Sequence, residues 1–197
     1  MKLAWQQIPS VVVSDLLCQI NLDGIVLDTE HGCFNNETLY NCIQLITASG
    51  KKCFVRLTEV NKTLVRICLD CGANGLIFST LETEEQAAKV QDICKFPKFK
   101  GTRGLGLVRQ NGWGEKDLIS EPPILVAQIE TMKAIKNLDN IKKYNFDYYM
   151  IGPYDLSASI GFPGQFDSEE YLAAINKIKH AIPNEKLAVH IPKDVQK

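Results

Sequence analysis

Glu130 and Asp155 stand in two short segments, Gln128-Ile129-Glu130-Thr131 and Gly152-Pro153-Tyr154-Asp155, each just beyond an apolar run. If those runs are adjacent parallel strands, the two carboxylates top neighbouring strands only ~5 Å apart. Carboxylates that close repel unless a proton or a cation sits between them. A hard divalent cation, Mg²⁺ or Mn²⁺, suits such oxygen donors, with waters or substrate oxygens completing its octahedron. The spacing accommodates a pair of solvated or arginine-paired carboxylates equally well. His31 follows Asp28-Thr29-Glu30 directly, and a histidine there is placed for acid–base work. Arg56 ends another apolar run, where it either meets an anionic substrate or oxyanion or neutralises Glu30 or Asp28. Of the remaining histidines, His180 falls in a helical pattern as a surface residue. His190 ends the last apolar run, with nothing further to support a role.

The elements that carry these residues alternate between strand and helix. Apolar runs at 3–8, 24–29, 53–57, 75–79, 124–129, 147–151 and 186–190 read as seven strands. Most are continuous rather than alternating, the pattern of parallel strands buried on both faces. Between them, Asn61 caps a helix with Leu64, Ile67, Cys68 and Cys71 on one face and Gly72 at its end. Thr83 opens a second helix, and Ser168 a third with the stripe Leu172, Ile175 and Ile178. The gap from 80 to 123 holds a helix and then a glycine-dense stretch through Gly101, Gly104, Gly106, Gly112 and Gly114, a long loop of the kind that usually serves function. Four of the seven strands end in charged or amide side chains, which solvation alone explains poorly. In parallel barrels that end carries the chemistry.

Repeating βα units in a single domain, 1–197, leave a (β/α)8 TIM-type barrel and an open doubly wound sheet as candidates. No G-x-G-x-x-G follows the first strand, which disfavours the doubly wound dinucleotide fold. A whole barrel takes ~250 residues, and after the seventh strand only a few residues follow, so the barrel reads as lacking its eighth βα unit.

Composition removes other classes. Lys plus Arg is 22 against 23 Asp plus Glu, a net charge of −1 that offers no basic surplus for nucleic acid. No apolar run approaches the ~20 residues that span a bilayer, and the first residues do not read as a signal peptide. Seven cysteines without an export signal read as reduced thiols of a cytoplasmic protein, and Cys68-Leu69-Asp70-Cys71 as core packing rather than a redox or zinc pair.

Taken together, Gly24-Ile25-Val26-Leu27-Asp28-Thr29-Glu30-His31-Gly32, Val55-Arg56, Leu69-Asp70-Cys71-Gly72-Ala73, Gly101-Thr102-Arg103-Gly104, Gln128-Ile129-Glu130-Thr131 and Gly152-Pro153-Tyr154-Asp155-Leu156-Ser157 come in one order. The chain resembles, from about residue 3 to residue 191, the HpcH/HpaI family of metal-dependent (class II) pyruvate aldolases. That resemblance implies a modified barrel that reversibly cleaves 4-hydroxy-2-oxo acids to pyruvate and an aldehyde. It implies that Glu130 and Asp155 hold Mg²⁺ or Mn²⁺, with Co²⁺ also admissible, against the carboxylate and keto oxygens of the oxo acid. Arg56 would face the developing oxyanion, Gln128 would help hold the oxo acid together with Asp155, and His31 would move a proton at the aldehyde-derived hydroxyl. No lysine stands at these strand ends, in keeping with metal rather than Schiff-base chemistry.

Asp70 matches the carboxylate that the family pairs with its histidine. It ends a helix leading into the fourth strand and so belongs to the face opposite its own His31, which points to a homo-oligomer whose sites lie near subunit interfaces. Tyr154 stands where many members have a small residue, so the rim near the oxo acid would be narrower. Family members also continue past the equivalent of His190 through another strand and helix, whereas this sequence ends at Lys197. The rival readings are an acyl-CoA lyase of the citrate or malyl-CoA lyase type, and a catalytically weak oxo-acid-binding or scaffold protein.

Overall fold

The computed structural model describes residues 1–119 and 121–190. They group into two compact units, one of Met1–Ile77 with Lys89–Ile124, the other of Phe78–Ala88 with the described residues from Leu125 on. The strands are β1 (Leu3–Gln6), β2 (Gly24–Asp28), β3 (Lys52–Leu57), β4 (Gly75–Phe78), β5 (Ile124–Ile129), β6 (Tyr148–Ile151) and β7 (Leu187–Val189), ordered in the sheet as in the sequence. All seven expected strands are present, trimmed or extended at the ends by a residue or two. Sequential strand order with intervening helices is that of a TIM-barrel-like α/β fold. The closing eighth unit is missing among the described residues.

In the first unit β1, β2 and β3 pair in parallel, with Leu27 opposite Val55 and Asp28 opposite Arg56. Every residue of β2 is buried, and only Lys52 of β3 is exposed, as expected for strands covered on both faces. Helices α1 (Val11–Cys18), α2 (Asn36–Ala48) and α3 (Lys62–Asp70) return the chain between strands. Asn35 and Asn61 cap α2 and α3 by accepting backbone N–H bonds of the first turn, as the Asn61 reading required. The face α3 buries is Val65, Cys68 and Leu69, with Leu64 and Ile67 at its margin, so the expected stripe is rotated by about one residue. The stretch after α4 (Glu84–Cys94) holds two 3₁₀ turns, Pro97–Phe99 and Arg109–Gly114, within the expected loop.

In the second unit β5, β6 and β7 pair in parallel, Gln128 opposite Met150 and Ile129 opposite Ile151. Short helices α5 (Met132–Lys136) and α6 (Leu138–Ile141) follow β5; α7 (Pro153–Ile160) and α8 (Glu169–Ala181) follow β6. Ser168 caps α8 by accepting from the Tyr171 amide. The buried face of α8 is Tyr171, Ala174 and Ile178, whereas Leu172 of the predicted stripe is 48% exposed. The aromatic Tyr171 takes the inward position because Phe166 packs on its ring at 5.5 Å. That contact is invisible in a count of aliphatic spacings.

Most of the cysteines behave as packing residues, although Cys18 is half-buried and Cys33 exposed. Cys42, Cys53, Cys68, Cys71 and Cys94 are free and buried. Burial pushes the Cys68 thiol far up and that of Cys94 up to about 12, which removes thiolate reactivity. No described helix is long and apolar enough to cross a membrane.

Candidate functional site

Strand β2 ends on Asp28 and strand β3 carries Arg56 beside it, so the ladder itself sets the two side chains together. The pairing is bidentate: Arg56 Nε donates to Asp28 Oδ1 at 2.9 Å and Nη2 to Oδ2 at 2.6 Å, with Asp28 fully buried. Arg56 Nη1 reaches Glu30 Oε2 at 2.7 Å. Trp5 Nε1 donates to Asp28 Oδ2 at 3.1 Å, and the Arg56 guanidinium carbon lies 5.0 Å from the Trp5 ring centroid. The Glu30 and His31 amides close the turn onto Asp28 Oδ1. Burial alone would raise the Asp28 carboxyl, but the Arg56 and Trp5 hydrogen bonds outweigh it and hold the group near 2. Three Arg56 nitrogens therefore each engage a carboxylate oxygen, the neutralising alternative, while its remaining N–H groups meet no acceptor among the described residues. The His31 ring is exposed and makes no hydrogen bond among the described residues.

The second unit builds a different arrangement. Glu130 follows β5, is 2% exposed, and accepts at Oε1 from both the amide (2.6 Å) and the hydroxyl (3.1 Å) of Thr80. Gln128 Nε2 donates to its Oε2. Thr80 follows β4 with a left-handed φ of 49°, a conformation that a β-branched residue adopts only at an energetic cost. That backbone aims both its donors at one carboxylate oxygen. Gly152, the N-cap of α7, presses on the same carboxylate: a Cβ there would overlap Glu130 Oε2 and come within 2.9 Å of Gln128 Nε2. Asp155 is three residues on, in the first turn of α7, exposed and without a hydrogen-bonded partner among the described residues. Gln128 Oε1 is buried and accepts no hydrogen bond among the described residues. Tyr154 is 52% exposed, with its ring edge-to-face on Phe166 at 5.2 Å.

The donors in this second arrangement are carboxylate and amide oxygens, the hard set that Mg²⁺ and Mn²⁺ prefer. An orphaned buried acceptor beside a fixed carboxylate fits a cation or a ligand N–H. Among the described residues no group of three or more His, Cys, Asp or Glu is placed to hold a metal. Two carboxylates with waters are nonetheless a common Mg²⁺ set. A model of the HpcH/HpaI aldolase/citrate lyase family matches residues 12–194. The chain belongs to that family.

Among curated relatives, 2-keto-3-deoxy-L-rhamnonate aldolase of Salmonella gallinarum (strain 287/91 / NCTC 13346) is 32% identical over 166 residues, 81% of this chain. The chain spans 62% of that relative's length. A solved HpcH/HpaI aldolase/citrate lyase family protein from Burkholderia cenocepacia J2315 superposes with a TM-score of 0.86 at 25% identity, covering 95% of this chain and 77% of that one. The HpcH/HpaI aldolase of Desulfitobacterium hafniense DCB-2 shares the fold at a TM-score of 0.81 and 21% identity, covering 95% and 76%.

Of the residues expected from the sequence, the first unit brings Arg56 to Asp28 and Glu30, and the second brings Gln128 to Glu130. Asp70 is not joined to His31; its carboxylate pairs with Arg103, Nη2 to Oδ1 at 2.8 Å. Thr80 escaped the sequence reading, although Ser79-Thr80 at the end of β4 repeats the polar strand ending that marked the other sites. In the sequence Asp28 is a polar residue at the end of β2 and a charge for Arg56 to neutralise, and the bonds it accepts from the Glu30 and His31 amides are visible only in the folded turn.

Proposed function

We propose that this chain is a metal-dependent aldolase that cleaves a 4-hydroxy-2-oxo acid to pyruvate and an aldehyde, acting as a homo-oligomer. A 2-keto-3-deoxy sugar acid, the kind of substrate named for the curated relatives, has that functional pattern. The observation that carries the reading is Glu130, held by Thr80 and Gln128 beneath Gly152, with the uncommitted Asp155 carboxylate one helical turn on. Mg²⁺ or Mn²⁺ held by Glu130 and Asp155 would supply Lewis-acid stabilisation of charge developing on the keto oxygen.

The chain's own residues do the rest. Thr80 and Gln128 hold Glu130 in place, so that no reorganisation is needed when substrate arrives. Gln128 Oε1 is the buried acceptor available to whatever occupies the site. Arg56, locked in place by Asp28, offers its remaining N–H groups to the oxyanion. His31, at the end of the Asp28 turn, takes the proton from the C4 hydroxyl as the C3–C4 bond breaks. Asp70 serves the His31 of a second copy, because in its own chain it ends α3 at the start of β4, a strand length of ~17 Å from where β2 ends.

Exchange of pyruvate methyl protons in D₂O tests the reading. Mg²⁺ or Mn²⁺ should support exchange and EDTA should abolish it. Exchange that persists in EDTA, or never occurs with either metal, contradicts it.

A further inference from the structure

Two charges in the first unit stand where stability alone would not put them. Asp70 is the last residue of α3, the negative end of the helix dipole, where a carboxylate is disfavoured. Arg103 is 3% exposed, and its Nε and Nη1 donate to no acceptor among the described residues. A buried guanidinium with two idle nitrogens is an expensive way to gain one ion pair, and an apolar pair of similar volume is often as stable.

The surroundings hold Arg103 firmly all the same. The Thr102 amide donates to Asp92 O at 2.7 Å and the Arg103 amide to Lys95 O at 2.8 Å, clamping the segment to the end of α4. Gly101 permits the clamp, since a Cβ there would overlap Lys95 O and lie 2.6 Å from Asp92 O. The guanidinium carbon sits 4.5 Å from the centroid of Phe96, itself buried. Gln110 Oε1 accepts from the same Nη2 at 2.6 Å. From this mount a single contact reaches Asp70 Oδ1, while Oδ2 has no hydrogen-bonded partner among the described residues and Asp70 lines an open cavity of about 460 Å³ with Arg66, Gly104 and Gly106. Beside it Leu105 and Leu107 are 54% and 64% exposed.

We infer that Arg103 is a positioning residue: it fixes the rotamer of Asp70 so that the free carboxylate oxygen projects from the end of α3 toward His31 of a second copy. The inference rests on the shared-site reading above and deepens it. Arg103 then acts in the copy that lends Asp70, not in the copy whose His31 it serves.

Complementation separates these roles. Arg103→Gln should lower kcat on a 4-hydroxy-2-oxo acid about 10–100-fold with KM unchanged within about twofold, the size of effect a supporting contact has on its ligand. Arg103→Lys, which keeps the charge, should stay within about tenfold of wild type, and it carries the test if Arg103→Gln does not fold. The Asp70→Asn/Arg103→Gln chain should be no worse than Asp70→Asn alone. Mixed oligomers of His31→Ala with Arg103→Gln should regain activity, and mixtures of Asp70→Ala with Arg103→Gln should not. Recovery in His31→Ala with Asp70→Ala but not in His31→Ala with Arg103→Gln overturns the role of Arg103 alone. No recovery in His31→Ala with Asp70→Ala overturns the shared site, and the inference with it. Losses that multiply in the double variant also overturn it.

Discussion

The Arg56 cluster of the first unit and the Glu130 cradle of the second both rest on a buried carboxylate at a strand end, yet they are finished to different degrees. Asp28 is fully satisfied: two bonds to Arg56, one to Trp5 and the capping amides of Glu30 and His31. Around Glu130, by contrast, Gln128 Oε1 has no donor and Asp155 no partner among the described residues. A buried cluster with its donors and acceptors paired contributes to folding and holds an orientation. One that keeps acceptors in reserve contributes less to folding and has valence left for a ligand. The contrast separates a paired structural cluster in the first unit from a cradle with unused acceptors in the second.

The variant expected to do most damage to activity is Glu130→Gln, which keeps the volume and removes the charge. Loss of about 10³-fold in kcat/KM is expected, with a melting temperature near that of wild type. A large drop in stability instead would put Glu130 on the same footing as Asp28. Gly152→Ala should follow, with about 10²-fold loss from displacement of Glu130 by the order of an ångström. Steady-state kinetics beside a circular dichroism spectrum checks it, and wild-type activity would show that the cradle tolerates the methyl group.

Arg56→Ala sharpens the comparison from the other side. It leaves Asp28 buried and unpaired, so unfolding free energy should fall by about 3–5 kcal/mol, as read by urea denaturation. Asp28→Asn gives the pH dependence. The Asp28 carboxyl is held near 2 in the fold against an ordinary 3.8, so its stabilisation is complete above the ordinary value. It is lost as pH falls through the lowered one. The corresponding gain, about 2 kcal/mol at neutral pH, should shrink between pH 4 and pH 2 in wild type and be absent from Asp28→Asn. Equal acid-denaturation curves for the two proteins would show that the Arg56 pairing contributes nothing net.

Much of this was legible in the linear sequence because the period of burial is short and local. Continuous apolar runs mark β2 and β5 as doubly covered strands, and a polar residue after such a run marks the strand end, which is how Arg56, Glu130 and His31 come to notice. Asn61 and Ser168 announce their helices by residue type. What escaped depends on neighbours distant in sequence. Thr80 reaches Glu130 across 50 residues through an unusual backbone angle. Leu172 loses the inward position to Tyr171 because of Phe166. Arg103 shows itself only once α3 and the turn after α4 are placed, since nothing in Gly101-Thr102-Arg103-Gly104 names Asp70 as its partner.

The central claim is that Glu130 and Asp155 together hold a divalent cation. Mn²⁺ titration followed by electron paramagnetic resonance, on protein stripped with EDTA, reads that directly and without any substrate. The account predicts one site per chain in the wild type, weakened at least about tenfold in Glu130→Gln and likewise in Asp155→Asn. Binding of equal strength in all three proteins would contradict it.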